Sequence, residues 1–316
     1  MPLPTTDLYR PAYGQYAIGH FNVANMEQIL GLFRGATEVQ APFIVALSRA
    51  AWGYAGLEML HHMILAAHER YPEAVFAVHH DHGSEETCYQ AIDSGCFTSV
   101  MIDASHHPFE ENVAVTRRVV ARAHERGISV EAELGVLAGQ EDHLRVEERE
   151  ALLTDPDQAA EFVERTGCDS LAVAVGTSHG AYKFAARSGL RLDRLAAIQS
   201  RLPGFPLVLH GASAVYPQEV ARINAAGGAL EPGAQGLDEK HLPEAIRLGV
   251  TKVNVGTDGR LLWTRLHREF FRDHPEKFDF TEPGRRYMGE YARLVAHKCR
   301  VLGSAGRAGT LSNTEH

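Results

Sequence analysis

Short apolar runs recur along the chain, and between them apolar residues return every third or fourth position. The runs are "GHFNV" (19–23), "PFIVALS" (42–48), "VFAVHH" (75–80), "FTSVMID" (97–103), "ISVEAEL" (128–134), "LAVAVG" (171–176), "PLVLHG" (206–211) and "TKVNVG" (251–256). Most are near-continuously apolar, which predicts parallel strands covered on both faces rather than exposed hairpins. The intervening "NMEQILGLFRGATEV", "PFEENVAVTRRVVARAHERG" and "PDQAAEFVERTGC" carry helical spacing, with Gly127 and Gly167 where helix C-caps are expected. About eight strand–helix units favour an α/β fold of the closed (β/α)8 TIM-barrel type. An open doubly wound sheet is the alternative, but it usually has fewer strands, and no G-x-G-x-x-G follows the first run. Two more helices are predicted over 257–273 and 285–302, after the eighth strand. The expected organisation is one barrel domain over 1–303 with those C-terminal helices, then a flexible tail over 304–316. The one irregular insert is "GGALEPGAQGLDEKH" (227–241), a Gly-rich loop before the eighth strand.

The predicted strands tend to end in residues capable of chemistry: Asn22, Ser48, Asp81 with His82, Asp103, Glu133, His179 just past its strand, His210 and Asn254. In a (β/α)8 barrel these ends meet at one mouth, where active sites are built. A single Asn, Asp or Ser at such a position is more often a cap or turn former. Histidine and glutamate are poor caps, so His82, His179, His210 and Glu133 at four separate strand ends need another explanation. Three imidazoles with an open position form a common catalytic zinc arrangement. His79 and His80 are assigned to packing or to orienting the ligands. Strand phase at 79–82 is open, because 80 shares a face with 82 as 79 does with 81.

Composition narrows the partners. The chain has 316 residues, 45% of them hydrophobic, and a net charge of −9. That balance argues against nucleic acid or an anionic membrane surface. Four cysteines without a C-x-x-C pair suggest a reducing, cytoplasmic setting. The first residues do not read as a signal peptide, and no apolar run approaches a membrane span. "VGTSHGAYK" (175–183) and "HGAS" (210–213) surround their histidines with small residues. Gly180, Gly211 and Ser213 would let backbone N–H groups face a phosphate, Lys183 could add a charge, and Thr257 opens the last strand's helix. "ELGVLAGQEDH" (133–143) is either a solvated acidic loop or a mobile lid carrying Glu141.

The sequence resembles the class II, zinc-dependent ketose-bisphosphate aldolases, which include fructose- and tagatose-bisphosphate aldolases. The resemblance covers almost the whole chain and rests on "GHFNVANME", "HHDHGS", "FTSVMIDASH", "VEAELG", "AVAVGTSHGAYK", "LVLHGAS" and "KVNVGTDGR". It implies that His82, His179 and His210 ligate Zn2+, with Glu133 at an alternative metal position. Asp81 would exchange the proton of the substrate's C4 hydroxyl, and Glu141 would take a proton from the triose. Gly180, Lys183, Gly211, Ser213 and Thr257 would cradle a phosphate, Asn254 would contact the triose, and Arg260 would meet the far phosphate. Asn22 and Ser48 complete the expected substrate contacts. A monovalent cation such as Na+ or K+ often accompanies the cradle, and the family is commonly dimeric or tetrameric.

One position departs from the pattern. Fructose-type members usually carry an aspartate two residues after the asparagine of the "NVGTD" motif, and this chain has Gly256. Tagatose-type members tend to have a small residue there. The 227–241 insert, Asp258 and Arg260 look like the fructose type. Fructose 1,6-bisphosphate is therefore the expected substrate, with tagatose 1,6-bisphosphate or another phosphorylated ketose as the alternative. Two other classes fit the residues less well. A non-catalytic barrel would be expected to lose a zinc ligand or an acid/base residue, and none is lost. A zinc hydrolase on this fold is disfavoured by the glycine-framed His179 and His210.

Overall fold

The computed structural model describes residues 1–135, 138–141, 144–146, 153–179, 189–232, 234 and 236–310. Eight parallel strands close on themselves: β1 (Ile18–Asn22), β2 (Phe43–Ser48), β3 (Phe76–Gly83), β4 (Ser99–Ile102), β5 (Ser129–Leu134), β8 (Ser170–Val173), β10 (Leu207–Leu209) and β11 (Val250–Val255). Three short segments, β6 (Ala138–Glu141), β7 (Leu144–Val146) and β9 (Ser178–His179), form a separate small sheet in the order β7-β6-β9. Gly139 is level with His179 in that sheet. The (β/α)8 architecture expected from the periodicity is the one observed.

Helices follow the strands and form the outer layer: α2 (Met26–Glu38), α3 (Arg49–Ala55), α4 (Leu57–Arg70), α5 (Glu85–Ser94), α6 (Phe109–His124), α7 (Pro156–Thr166), α8 (Leu192–Arg201), α9 (Pro217–Ala225), α10 (Leu242–Arg247), α11 (Thr257–Asp273) and α12 (Thr281–Val301). Helix α12 starts four residues earlier than its apolar spacing suggested. Its first turn contains Pro283 and Gly284, which read as breakers, yet a first-turn proline gives up an N–H that has no partner inside the helix. Towards its C-terminal end the 227–241 insert winds into a turn of 3₁₀ helix (Glu239–His241) that leads directly into α10. Helices α2 and α12 approach closely at Gly35, where a Cβ would lie 2.3 Å from the carbonyl oxygen of Ala292.

The main core lies between barrel and helices, with Phe33, Phe43 and Phe76 packed ring to ring. The barrel interior is different. At its N-terminal end the preceding helix α1 (Thr5–Ala12) packs Leu8 and Tyr9 on Ile18, Ile44 and Ala77. Above that layer, buried His20, His79, Asp81, Glu131, Lys252 and His210 mix with Met101, Ala172 and Val208. Strand residues two apart share a face, so polar pairs at i and i+2 build this polar upper half: His20 with Asn22, His79 with Asp81, Glu131 with Glu133, Lys252 with Asn254.

Candidate active site

Strand β3 carries the central group, and a bulge sets its phase. His80 is level with Val100 of β4 but Gly83 is level with Ile102, so β3 has one residue extra. The extra residue is accommodated at His82, whose φ is +48°. Up to Asp81 the strand alternates regularly. His79 and Asp81 face the barrel interior, while His80 faces outward, stacked on Trp52 with ring centroids 4.3 Å apart. Unbroken alternation would have put His82 outside with His80. The left-handed turn returns it to the mouth, where its Nε2 lies 3.0 Å from Nδ1 of His210.

Both imidazoles are held from behind by carboxylates. Nδ1 of His82 is 2.9 Å from Asp103 Oδ2, and Nε2 of His210 is 2.9 Å from Glu131 Oε1. Asp103 is braced in turn by the Ser105 hydroxyl, which donates to its Oδ1 at 2.8 Å. Lys252 Nζ donates to Glu131 Oε2 at 2.7 Å, and both side chains are fully buried. Asn254 Nδ2 sits 3.2 Å from His210 Nε2. Carboxylates behind imidazoles select the tautomer and raise ligand basicity.

Glu133 completes the group. Its Oε2 is buried without a hydrogen-bond partner and lies 4.0 Å from Nδ1 of both His82 and His210. Burial, with the nearby charge of Asp103, pushes its carboxyl well above the usual range, against the pull of His82. His82 behaves oppositely: burial disfavours its charge, but Asp81, Asp103 and Glu133 outweigh this and raise it to about 10. His210 is pushed well below its ordinary value by burial and by the charges of His82 and Lys252. A carboxylate oxygen with nothing to bond, beside two inward-facing imidazole nitrogens, fits a divalent cation. Nitrogens sharing one tetrahedral zinc at about 2.0–2.1 Å lie about 3.3 Å apart, close to the spacing found. A second group, His20, His79 and Asp81, also brings ligand atoms within 4.8 Å of one another. Lys252 stands close enough to disfavour charge on both of its histidines, which argues against a cation there.

Asp81 adjoins the metal-ligand candidates. Asn22 Nδ2 donates to its Oδ2 at 2.7 Å, while its buried Oδ1 has no hydrogen-bond partner. Burial alone would raise its carboxyl, but His20 and His82 outweigh this and hold it well below the usual carboxylate range. Gly256 belongs to the same arrangement, since a Cβ there would come within 2.9 Å of Asn22 Oδ1. The missing side chain leaves Asn22 free to sit against Asp81.

The other expected residues are distributed as follows. Ser48 caps α3, its Oγ accepting from the N–H of Ala51 at 3.4 Å. Asn254 Oδ1 is buried and has no hydrogen-bond partner. Gly211 and Ser213 lie in the turn after β10, and Thr257 and Arg260 in the first turn of α11, with Arg260 exposed. Gly180 and Lys183 lie outside the described residues. For Glu141 and His179 the description extends to the backbone alone. His20, Glu131 and Lys252 are buried one layer below the strand-end residues, and in the sequence only their i, i+2 polar pairing marks them.

A barrel with buried imidazoles, carboxylates and an orphaned oxygen at its strand ends suits a metal-assisted carbonyl reaction, and comparison with known proteins decides the lineage. The family model described as fructose-bisphosphate aldolase class-II matches residues 4–307. The chain belongs to the class II fructose-bisphosphate aldolase family. Among members of this family, the fructose-bisphosphate aldolase of Giardia intestinalis is 46% identical over 301 residues, covering 93% of this chain and 90% of that protein. The enzyme of the same name from Thermus caldophilus is 46% identical over 299 residues, covering 93% of this chain and 95% of that one. In three dimensions the fold superposes on the YdjI aldolase of Escherichia coli K12, with a TM-score of 0.75 and 31% identity, over 98% of this chain and all of that one. Class II aldolases are aldehyde-lyases that act on phosphorylated sugars, so the site at the strand ends is read as that of a lyase.

Proposed function

We propose that this chain catalyses the reversible cleavage of fructose 1,6-bisphosphate to dihydroxyacetone phosphate and glyceraldehyde 3-phosphate. The observation that carries the reading is the pair His82 Nε2 and His210 Nδ1, 3.0 Å apart, with the partnerless Glu133 Oε2 beside them. His82, His210 and His179 would hold zinc, and Glu133 would offer an alternative position for it. Bound there, zinc supplies a Lewis acid for the charge that develops next to the substrate ketone.

The chain's own groups handle protons and anions. Asp81 is kept ionised and gripped at Oδ2 by Asn22, so Oδ1 is the oxygen that takes the C4 hydroxyl proton as the C3–C4 bond breaks. In condensation Asp81 returns that proton, and Glu141 removes one from the triose. Gly180, Lys183, Gly211, Ser213 and Thr257 bind the triose phosphate, with a monovalent cation such as Na+ or K+ beside them. Asn254 and Ser48 contact the sugar, and Arg260 meets the far phosphate. We further infer a single domain over 1–303 that assembles as a homodimer or homotetramer in the cytoplasm. Among the described residues no helix is long and apolar enough to cross a membrane.

Gly256 bears on selectivity. With no side chain there, one hydroxyl-reading group usual in fructose-type members is missing, at a cost of about 1–3 kcal/mol in discrimination. The test is triose-phosphate release from fructose 1,6-bisphosphate and tagatose 1,6-bisphosphate in parallel, with and without a chelator. Cleavage of the fructose substrate that a chelator abolishes and zinc restores is expected. Chelator-resistant cleavage overturns the metal assignment. Cleavage of tagatose 1,6-bisphosphate alone overturns the substrate assignment.

A further inference from the structure

The turn over 211–215, between β10 and α9, has an unusual backbone. Val215 has a φ of +46°, a left-handed conformation that a β-branched residue rarely adopts. Such strain persists only where the surroundings over-determine it, and here both sides of the turn are held. Asp258 accepts from the N–H of Ala214 at its Oδ2 (3.0 Å) and from that of Val215 at its Oδ1 (2.8 Å). On the carbonyl side, Gly236 N–H donates to Ala214 O at 3.0 Å and Leu237 N–H to Ser213 O at 3.1 Å. The approach at Gly236 admits no side chain, since a Cβ would lie 2.0 Å from Ser213 O.

The two grips are joined by one residue of the last helix. Lys298 of α12 is buried and donates to Asp258 Oδ2 at 2.7 Å and to Glu239 Oε1 at 2.6 Å. Glu239 lies two residues beyond Leu237 in the insert, and the Tyr216 hydroxyl also donates to its Oε1, at 2.8 Å. Helix α12 is itself fixed by its close approach to α2 at Gly35.

We propose that Lys298, Asp258, Glu239 and Gly236 form a clamp of positioning residues that sets the backbone of the 211–215 turn and thereby the enzyme's affinity for the substrate phosphate. The proposal rests on the reading that Gly211 and Ser213 bind that phosphate. It gives the 227–241 insert a task, and it makes a lysine of the C-terminal helix a determinant of KM. The clamp contains two carboxylates and one ammonium, so its charge matters as well as its shape, and the variants must separate the two.

Gly236→Ala displaces the turn without changing charge. Lys298→Met combined with Glu239→Gln cuts the link while keeping the net charge of the cluster. Each is expected to raise KM for fructose 1,6-bisphosphate, and the inhibition constant of inorganic phosphate, by about tenfold or more. In each, kcat should stay within about threefold and zinc content should be unchanged. A clamp that served stability alone would lower the melting temperature and leave KM and phosphate inhibition untouched, and that result overturns the proposal. If Gly236→Ala does not fold, the double variant decides. If the unaltered chain cleaves no ketose bisphosphate, the functional reading has failed instead. Calorimetric titration of inorganic phosphate into the unaltered and variant chains then tests the clamp by itself, and equal affinities overturn it.

Discussion

Replacing Lys252 with methionine strands a charge inside the barrel. Lys252 Nζ and Glu131 Oε2 are 2.7 Å apart, and the side chains are 0% and 1% exposed. Unit charges at that spacing attract by about 6 kcal/mol at an effective dielectric of about 20. Desolvation of both ions takes back much of this, yet removing one partner alone costs about 3–5 kcal/mol, because the other stays buried. Lys252→Met is therefore expected to lower the melting temperature by about 5–8 °C. Adding Glu131→Gln removes the stranded carboxylate and should recover most of that loss. The same double variant should not recover metal affinity. His210 Nε2 lies 2.9 Å from Glu131 Oε1, and an amide there orients the imidazole without the carboxylate's charge. Zinc should then bind about tenfold or more weakly. Scanning calorimetry at one scan rate measures the first effect, and competition with a fluorescent chelator measures the second. A melting temperature for Lys252→Met within about 2 °C of the unaltered chain refutes the reasoning, as does a double variant that regains stability and full zinc affinity together.

Asp103→Asn should weaken zinc binding about 10–100-fold in the same chelator competition, because Asp103 holds Nδ1 of His82 at 2.9 Å. The Asp103 carboxyl is held below its usual range: burial works against this, but His82 and Ser105 outweigh it. Its contribution to stability is therefore complete above about pH 4 and is lost as pH falls through the folded value. Acid unfolding of Asp103→Asn, followed by circular dichroism, should show a shallower loss of stability over that window. Asp81→Asn should lower kcat by about 10²–10⁴-fold with zinc content unchanged by elemental analysis. Gln40 is exposed and left-handed, with φ +52°, so Gln40→Gly should relieve about 1 kcal/mol of strain and raise the melting temperature slightly.

Periodicity carried the architecture a long way. Parallel strands buried on both faces leave a near-continuous apolar signature, and all eight barrel strands fall where such runs occur. Boundaries were less legible, as at α12, because a proline early in a helix and a proline ending one look alike in sequence. In the site, residues at the strand ends stood out by type. Those one layer below did not, since His20, Glu131 and Lys252 read singly as polar interruptions of apolar strands. Their partners sit on other strands: Glu131 meets His210 across 79 residues and Lys252 across 121, and His20 Nε2 lies 3.6 Å from Asp81 Oδ2, pairs that exist only after the barrel has closed.

The sequence by itself determined the repeating strand–helix pattern, the supply of imidazoles and carboxylates at the strand ends, and the family resemblance, because each depends on residue type and order. Tertiary structure decided three things. The bulge in β3 turned His82 away from the face of His80 and towards His210. Closure of the barrel left Glu133 Oε2 without a hydrogen-bond partner and Asp81 with one oxygen held and one open. The packing of α12 carried Lys298 to Asp258 and Glu239. A single backbone angle sets the first, and contacts between distant segments set the others, so none is written in any local stretch of the chain.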